Sequence, residues 1–262
     1  MDRPTFTDRI MRLAGLGYAA LAFVLTFAFF TWFVLFLGNL PKPSNPWMDP
    51  SIDSGGSLDG LAAALVDIGL VALFGLQHSL MARPGFKARW TRIVPQGLER
   101  STYVMAASLV GFTMMIFWQP IPLTVWHMSG PLAIIPWVLF AIGWTILLSA
   151  GITFNLFELL GLRQAWAWYQ GRPIPLLTLK THWLYDWMRH PMYVGVLLGL
   201  WMTPHMTVGH ALMGATFTLY ILIAMRYEER DLSARFGVSY EAWREGADRS
   251  RLLPGRDATR VR

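Results

Sequence analysis

A chain of 262 residues that is 54% hydrophobic and only 15% charged is too apolar for an ordinary soluble domain. It contains no cysteine, which excludes disulfides, thiolate metal sites and a cysteine nucleophile. The formal net charge of +6 lies in short segments between apolar runs and not along one face, so membrane topology accounts for it and nucleic acid is not expected as a partner. The composition is that of an integral membrane protein whose surroundings are the lipid bilayer.

Arg3, Arg9 and Arg12 precede an apolar run, residues 13–37, long enough to cross a hydrocarbon core of about 30 Å. The run exceeds a signal-peptide core and lacks a small-residue cleavage site, so it reads as a membrane helix. Residues 38–60, rich in Pro, Ser, Gly and Asp with Lys42 as the only cation, read as an external loop. Residues 58–80 form a second membrane helix that carries Asp67 and ends in Gln77-His78-Ser79. The loop after it holds Arg83, Lys87, Arg89, Arg92 and Arg100, the density of a cytoplasmic segment. A third helix over 102–118, a proline-containing loop without Lys or Arg over 119–131, and a fourth helix over 132–151 follow. Residues 152–170 interleave Asn155, Glu158, Arg163 and Gln164 with Leu, Phe and Trp, the pattern of an amphipathic segment along the interface. Residues 171–177, with Pro173 and Pro175, read as a linker.

Arg189 and His190 then stand ahead of Pro191, which opens an apolar helix reaching Thr203. Proline suits the first helical turn, and the free N–H groups behind it face back toward the two cations, a place for an anion. This arm is only about 20 Å long at about 1.5 Å per residue. It either penetrates part-way or is extended by residues before Arg189. Pro204-His205 predict a turn, residues 208–225 return, and Glu228-Glu229 close the hairpin, which spans 189–229. Residues 230–254 read as a basic cytoplasmic tail in which Gly237 stops one helix and Ser239 caps another, with 255–262 frayed. The expectation is one all-α polytopic membrane domain over 1–262, with five to six membrane helices including the C-terminal hairpin and both termini cytoplasmic.

This topology collects Gln77, His78, Glu158, Arg163, Arg189, His190, Glu228 and Glu229 at one leaflet, where unrelated interfacial charges would also gather. Cations on one arm and carboxylates on the other fit a ligand with a carboxylate, a positive centre and a diol, which is the chemistry of S-adenosylmethionine. His78 is either an interfacial histidine satisfied by its neighbours or, with Gln77, a base or acceptor-orienting group, because imidazole titrates near neutrality. Glu158 is the second candidate base. Asp67, nearer the opposite end, reads as a structural pairing group. His182 with His190, and His205 with His210, lack the one-face spacing and acidic partner of a zinc helix, so no metal is expected. Gly195 and Gly199 fit a helix-packing face. Trp166, Trp168, Trp183 and Trp187 stand where indoles would cover an adenine or a sulfonium.

Tyr185, Arg189-His190-Pro191-Met192-Tyr193-Val194-Gly195, Glu228-Glu229-Arg230-Asp231-Leu232, Phe236-Gly237, Tyr240, Trp243 and Arg251-Leu252-Leu253-Pro254 resemble, in order and spacing, the C-terminal half of the isoprenylcysteine carboxyl methyltransferase-like membrane enzymes. Over its whole length the chain is similar to the bacterial methanethiol S-methyltransferases of that superfamily. Residues 74–90 carry the similarity, with Gln77-His78-Ser79-Leu80-Met81-Ala82-Arg83-Pro84 at their centre, as do 95–103, 157–164 and 203–210. The first half is also similar to denitrification-associated membrane proteins. The resemblance implies a multi-pass enzyme of the bacterial inner membrane with its site facing the cytoplasm. It would transfer a methyl group from S-adenosylmethionine to methanethiol or a similar small thiol, giving dimethyl sulfide, without a metal. Arg189, His190 and Tyr193 match the cofactor-binding motif and Glu228-Glu229 its acidic pair, with Arg163 and Tyr185 as further cofactor candidates. The family has a Pro-Gly turn ahead of Tyr185 where this chain has His182-Trp183. Two alternatives stay open: a methyltransferase for a prenylcysteine or lipid acceptor, with a long lipid-facing groove, and a non-enzymatic membrane sensor or binding protein without affinity for S-adenosylmethionine.

Overall fold

The computed structural model of the chain describes residues 6–40, 51–175, 184–238, 240, 241 and 244. The order of elements is α1 (Phe6–Leu37), α2 (Gly60–Ala82), α3 (Pro84–Trp90), α4 (Glu99–Phe117), β1 (Thr124–His127), α5 (Ile134–Thr153), α6 (Leu156–Leu159), α7 (Leu162–Tyr169), α8 (Leu184–Trp187), α9 (Pro191–Trp201), β2 (His205–Thr207) and α10 (Val208–Phe236). Helices α1, α2, α4, α5 and α10 are long and apolar enough to cross a membrane, and α9 is a shorter apolar helix. This is the all-α polytopic architecture expected from the sequence. The amphipathic stretch after α5 becomes two short helices, α6 and α7, divided at Gly161.

The apolar runs are hydrophobic all round, so the pattern of residue size, not polarity, decides which face is buried. In α1, Gly15, Ala19, Ala22, Thr26, Phe29, Phe33 and Phe36 recur every three to four residues and are buried, while Leu21, Val24, Phe27 and Phe30 face outward. The small residues occupy the N-terminal half of that stripe and the aromatics the other half. Phe29, Phe33, Phe36, Trp118, Phe140 and Phe217 share one aromatic core. Thr26 and Ser108 join α1 to α4 through a 3.1 Å hydroxyl pair, each also bonded to its own helix at Ala22 O and Val104 O.

Helix α9 lies against α5 at glycine contacts. A Cβ on Gly195 would stand 2.7 Å from Gly143 O and 2.8 Å from Leu147 N, and one on Gly199 would meet the Trp144 indole at 2.8 Å. Gly195 and Gly199 are thus a helix-packing face, as their spacing predicts. The 11 residues of α9 amount to about 16 Å. Residues before Arg189 do not lengthen it: Met188 to His190 are non-helical, with His190 at φ −130°, ψ 60°.

Beyond α9 the chain does not simply turn at Pro204-His205. It continues as β2, antiparallel to β1, with Thr124 opposite Thr207, Trp126 opposite Met206 and His127 opposite His205. Backbone that leaves the helix inside a membrane protein must find partners, and the ribbon supplies them. Helix α10 also departs from the expected hairpin. It runs through Glu228-Glu229 to Phe236 and stops at Gly237, whose φ of +51° no β-carbon-bearing residue adopts readily. Residues 226–236 contain no Gly or Pro to end it sooner. Ser239, His182-Trp183, Trp243 and Arg251 to Pro254 lie outside the described residues.

Cross-links place the beginning of α1 and the end of α10 at one end of the bundle. Arg12 donates to Trp168 O at 3.1 Å, Arg100 to Leu159 O at 2.7 Å, and Arg83 pairs with Asp231 at 3.1 Å. Asp53, Gln119 and the ribbon form the other end. Gly195→Ala should cost about 1–3 kcal/mol, because the added methyl meets backbone that cannot step aside. Gly17→Ala, where nothing lies within 4 Å, should not lower stability. Thermal unfolding in detergent compares the two.

Candidate active site

The hairpin mouth is assembled from the loop before α9 and the last third of α10. Glu228 and Glu229 are consecutive on a helix and therefore point about 100° apart, so each meets a different partner. Arg189 Nη1 donates to Glu229 Oε1 at 2.9 Å, and His190 Nε2 lies 3.1 Å from the same oxygen. Tyr193 OH donates to Glu228 Oε2 at 2.7 Å, with His190 Nδ1 3.9 Å from that oxygen. The anion-binding capacity expected of Arg189 and His190 is thus answered within the protein by Glu229. Glu228 is the more open carboxylate, its side chain 46% exposed against 31% for Glu229. The aromatic ring of Tyr240 is buried beside this cluster. Burial first, and then the charge of Glu229, raise its phenol above the ordinary range.

Three more tyrosines converge on Glu228 from different elements. Tyr185 of α8 is buried edge-on against Phe154, with centroids 4.9 Å apart. Burial and then the Glu228 carboxylate hold its phenol above the ordinary range, so it stays protonated at neutral pH. Tyr103 of α4 and Tyr220 of α10 also lie within electrostatic reach of Glu228. Tyr220 packs on Gly75, and its hydroxyl is 3.5 Å from Ser79 Oγ, which brings α2 to the same place. One turn after Gly75 and next to Ser79, His78 has its Nε2 2.7 Å from Tyr103 OH, and its ring stacks on Phe74 at 5.4 Å. His78 Nδ1 is buried and has no hydrogen-bond partner among the described residues. Gln77 donates to Met81 Sδ at 3.1 Å, and its Oε1 is likewise buried without a partner among them. The sequence reading missed Tyr103, Tyr220 and Ser79. Their signal was a polar tip within an apolar helix, which has to find a partner when buried.

Glu158 and Arg163 are bonded to each other. Asn155, at φ +65°, accepts from Phe157 N and opens α6. At Gly161, φ +93°, a Cβ would stand 2.6 Å from Ser101 N. These turns fold Glu158 inward, where Arg163 donates to its Oε2 at 2.6 Å and Gln164 to its backbone O at 2.9 Å. Arg163 borders an apolar cleft of about 410 Å³ together with Leu16, Phe157 and Trp166 on the α1 side. Among the described residues neither Glu158 nor Arg163 is hydrogen-bonded to the hairpin mouth.

Trp168 packs over Gly15 and Gly97 with the Arg12 guanidinium 5.9 Å from its ring, so it joins α7 to α1. Trp166 and Trp187 are exposed, and Trp183 lies outside the described residues. Asp67 is fully buried at the opposite end and accepts from Gln119 N at 2.8 Å, tying α2 to the chain just beyond α4. Among the described residues no three His, Asp or Glu side chains are grouped as metal ligands.

No family model and no solved structure matches the chain. Among curated proteins it is 41% identical over 240 residues to methanethiol S-methyltransferase of Crocosphaera subtropica, covering 87% of this chain and 91% of that one. Identity to methanethiol S-methyltransferase of Mycobacterium tuberculosis is 37% over 238 residues, covering 90% and 94%. Human Nurim, whose name states no activity, is 32% identical over 243 residues, covering 82% and 88%. Identity at this level, along nearly the whole of both chains and on a helical membrane fold, makes the chain a member of the methanethiol S-methyltransferase family.

Proposed function

We propose that the protein transfers the methyl group of S-adenosylmethionine to methanethiol, releasing dimethyl sulfide and S-adenosylhomocysteine. The observation that carries this reading is the hairpin mouth, where Arg189 and His190 face Glu229 while Tyr193 holds Glu228. S-adenosylmethionine carries one carboxylate, one ammonium and one sulfonium, a net charge of +1. Arg189 against two glutamates carries the opposite net charge. In this reading the donors of Arg189 and His190 take the cofactor carboxylate, Glu229 takes its ammonium, and the more open Glu228 accepts from the ribose diol. Tyr185 and Tyr193 wall the site. Glu158 and Arg163, bound to each other beside α1, are not assigned to it.

Methyl transfer is an in-line displacement that needs no covalent enzyme intermediate. Holding the thiol against the sulfonium supplies much of the rate. Methanethiol is small and apolar enough to arrive through the bilayer, while the charged cofactor comes from water, and the charged end of the bundle meets both. That a small thiol is the acceptor is supported by the printed names of the relatives. His78 is the candidate base, because a thiol with a pKa of about 8.5 or above is at most a few per cent ionised at pH 7. The concentration of Arg83, Lys87, Arg89, Arg92 and Arg100 at this end supports a cytoplasmic site in a bacterial inner membrane.

Purified protein given labelled S-adenosylmethionine should methylate methanethiol in preference to prenylcysteine or phospholipid, with dimethyl sulfide read in the headspace. Arg189→Ala and Glu229→Ala should each weaken S-adenosylmethionine binding by about 1.5–3 kcal/mol, the size of a hydrogen bond to a charged group. Unchanged affinity of both variants in calorimetric titration would remove the cofactor site from the hairpin mouth. For topology, Ser57→Cys introduces a single thiol into an otherwise cysteine-free chain, on an exposed residue of the opposite end. An impermeant maleimide should label it from outside the cell, and labelling only from the cytoplasmic side would invert the assignment.

A further inference from the structure

The His78–Tyr103 hydrogen bond leaves one imidazole nitrogen engaged and the other buried without a partner among the described residues. Burying an unpaired nitrogen costs free energy that an apolar side chain would avoid, so the arrangement calls for something that meets Nδ1. The imidazole is also held in place: Phe74 stacks on one side at 5.4 Å with 15° between planes, and Tyr103 leans on it at 5.0 Å. Tyr103 is itself fixed, 6% exposed, with the Arg100 guanidinium 4.9 Å from its ring centroid.

Two proton arrangements fit a 2.7 Å contact between a phenol and Nε2. If Tyr103 donates, the ring proton sits on Nδ1 and the imidazole has no free lone pair. If Nε2–H donates to the Tyr103 oxygen, Nδ1 is bare and can take a proton. We propose that Tyr103 is a positioning residue that holds His78 in the second arrangement, so that Nδ1 is the atom that deprotonates the acceptor thiol. This rests on methyl transfer to methanethiol as the reaction.

The location agrees with that role. Tyr103 is within electrostatic reach of Glu228, Tyr193 and Tyr220, Tyr193 is bonded directly to Glu228, and Ser79, next to His78, meets the Tyr220 hydroxyl at 3.5 Å, so His78 lies at the same end of the bundle as the hairpin mouth. In the step, the S–H bond breaks and its proton passes to Nδ1. The sulfur lone pair forms the new S–CH₃ bond, and the electrons of the breaking C–S bond return to the sulfonium, leaving a neutral thioether. The imidazolium, still donating from Nε2 to Tyr103, then returns its proton to water. The charged or titratable groups around the pair are Arg100 and Glu99 from α4, Tyr220 and Glu228 from α10, and Tyr193 from α9; Tyr18 packs against it from α1.

Tyr103→Phe keeps the ring, its packing and the Arg100 contact, and removes one oxygen. With methanethiol it should lower kcat at pH 7 by about tenfold or more, within the range of general-base effects, while KM and S-adenosylmethionine affinity stay near the parent's. The deficit should shrink as pH rises and thiolate forms unaided. Methaneselenol, nearly the same shape but already ionised at neutral pH, should be methylated at the parent's rate. Added to His78→Ala, the substitution should cost nothing further, because two residues acting through one atom are non-additive. A loss of equal size at every pH and with both acceptors, a loss additive with His78→Ala, or no loss at all would each overturn the proposal. A parent enzyme that forms no dimethyl sulfide would instead overturn the reaction on which it rests.

Discussion

Eleven residues of helix cannot cross a bilayer, and much of the architecture answers to that shortfall in α9. In hydrocarbon an unpaired backbone group is expensive, so the chain that leaves α9 near Met202 needs partners at once. It finds them in β1, which is why α4 and α5 are joined by an extended segment and not by a simple loop. The helix itself is held by close glycine contact with α5, where Gly143 and Gly195 bring backbone against backbone. Shortness at one end also fixes the other: Pro191 starts the helix below the non-helical Met188–His190 segment, leaving Arg189 and His190 free to turn toward α10.

The two halves of the bundle do different work because different side chains fill them. Toward the β-ribbon, Phe33, Phe36, Trp118 and Phe140 close the interior with aromatic bulk. Toward the charged end the buried stripe of α1 thins to Gly15, Ala19 and Ala22, and tyrosines stand among the aromatics there. Tyr103, Tyr193 and Tyr220 present apolar bodies to the helices and polar tips to His78, Glu228 and Ser79 in turn, which lets the interior stay packed while its polar groups are paired.

The long apolar runs, the basic loop after α2 and the small-residue face of α9 were legible because each rests on a property of consecutive residues: hydropathy, charge density, side-chain size. The pairing of Arg189 with Glu229 was legible because a hairpin forces its two ends together. What escaped was set by contact between distant segments. Thr124 to His127 reads as loop until His205 to Thr207 arrives to pair with it. The bond between Glu158 and Arg163 depends on two positive-φ turns, at Asn155 and Gly161, that no property of consecutive residues announces. The acidic pair was placed at a helix end because the hydropathy falls there; a helix, however, ends where its backbone is interrupted, and that happens only at Gly237.

One consequence follows from Glu229 holding both Arg189 and His190. A bare inorganic anion drawn to those donors would have to displace the carboxylate and leave it partly buried among other negative charge, with nothing offered in return. An amino-acid zwitterion exchanges one carboxylate for another and supplies an ammonium to the one displaced. In the proposed reading the mouth therefore works as a swap that a visitor carrying one charge of each sign completes, and phosphate or chloride is refused without a wall to keep it out.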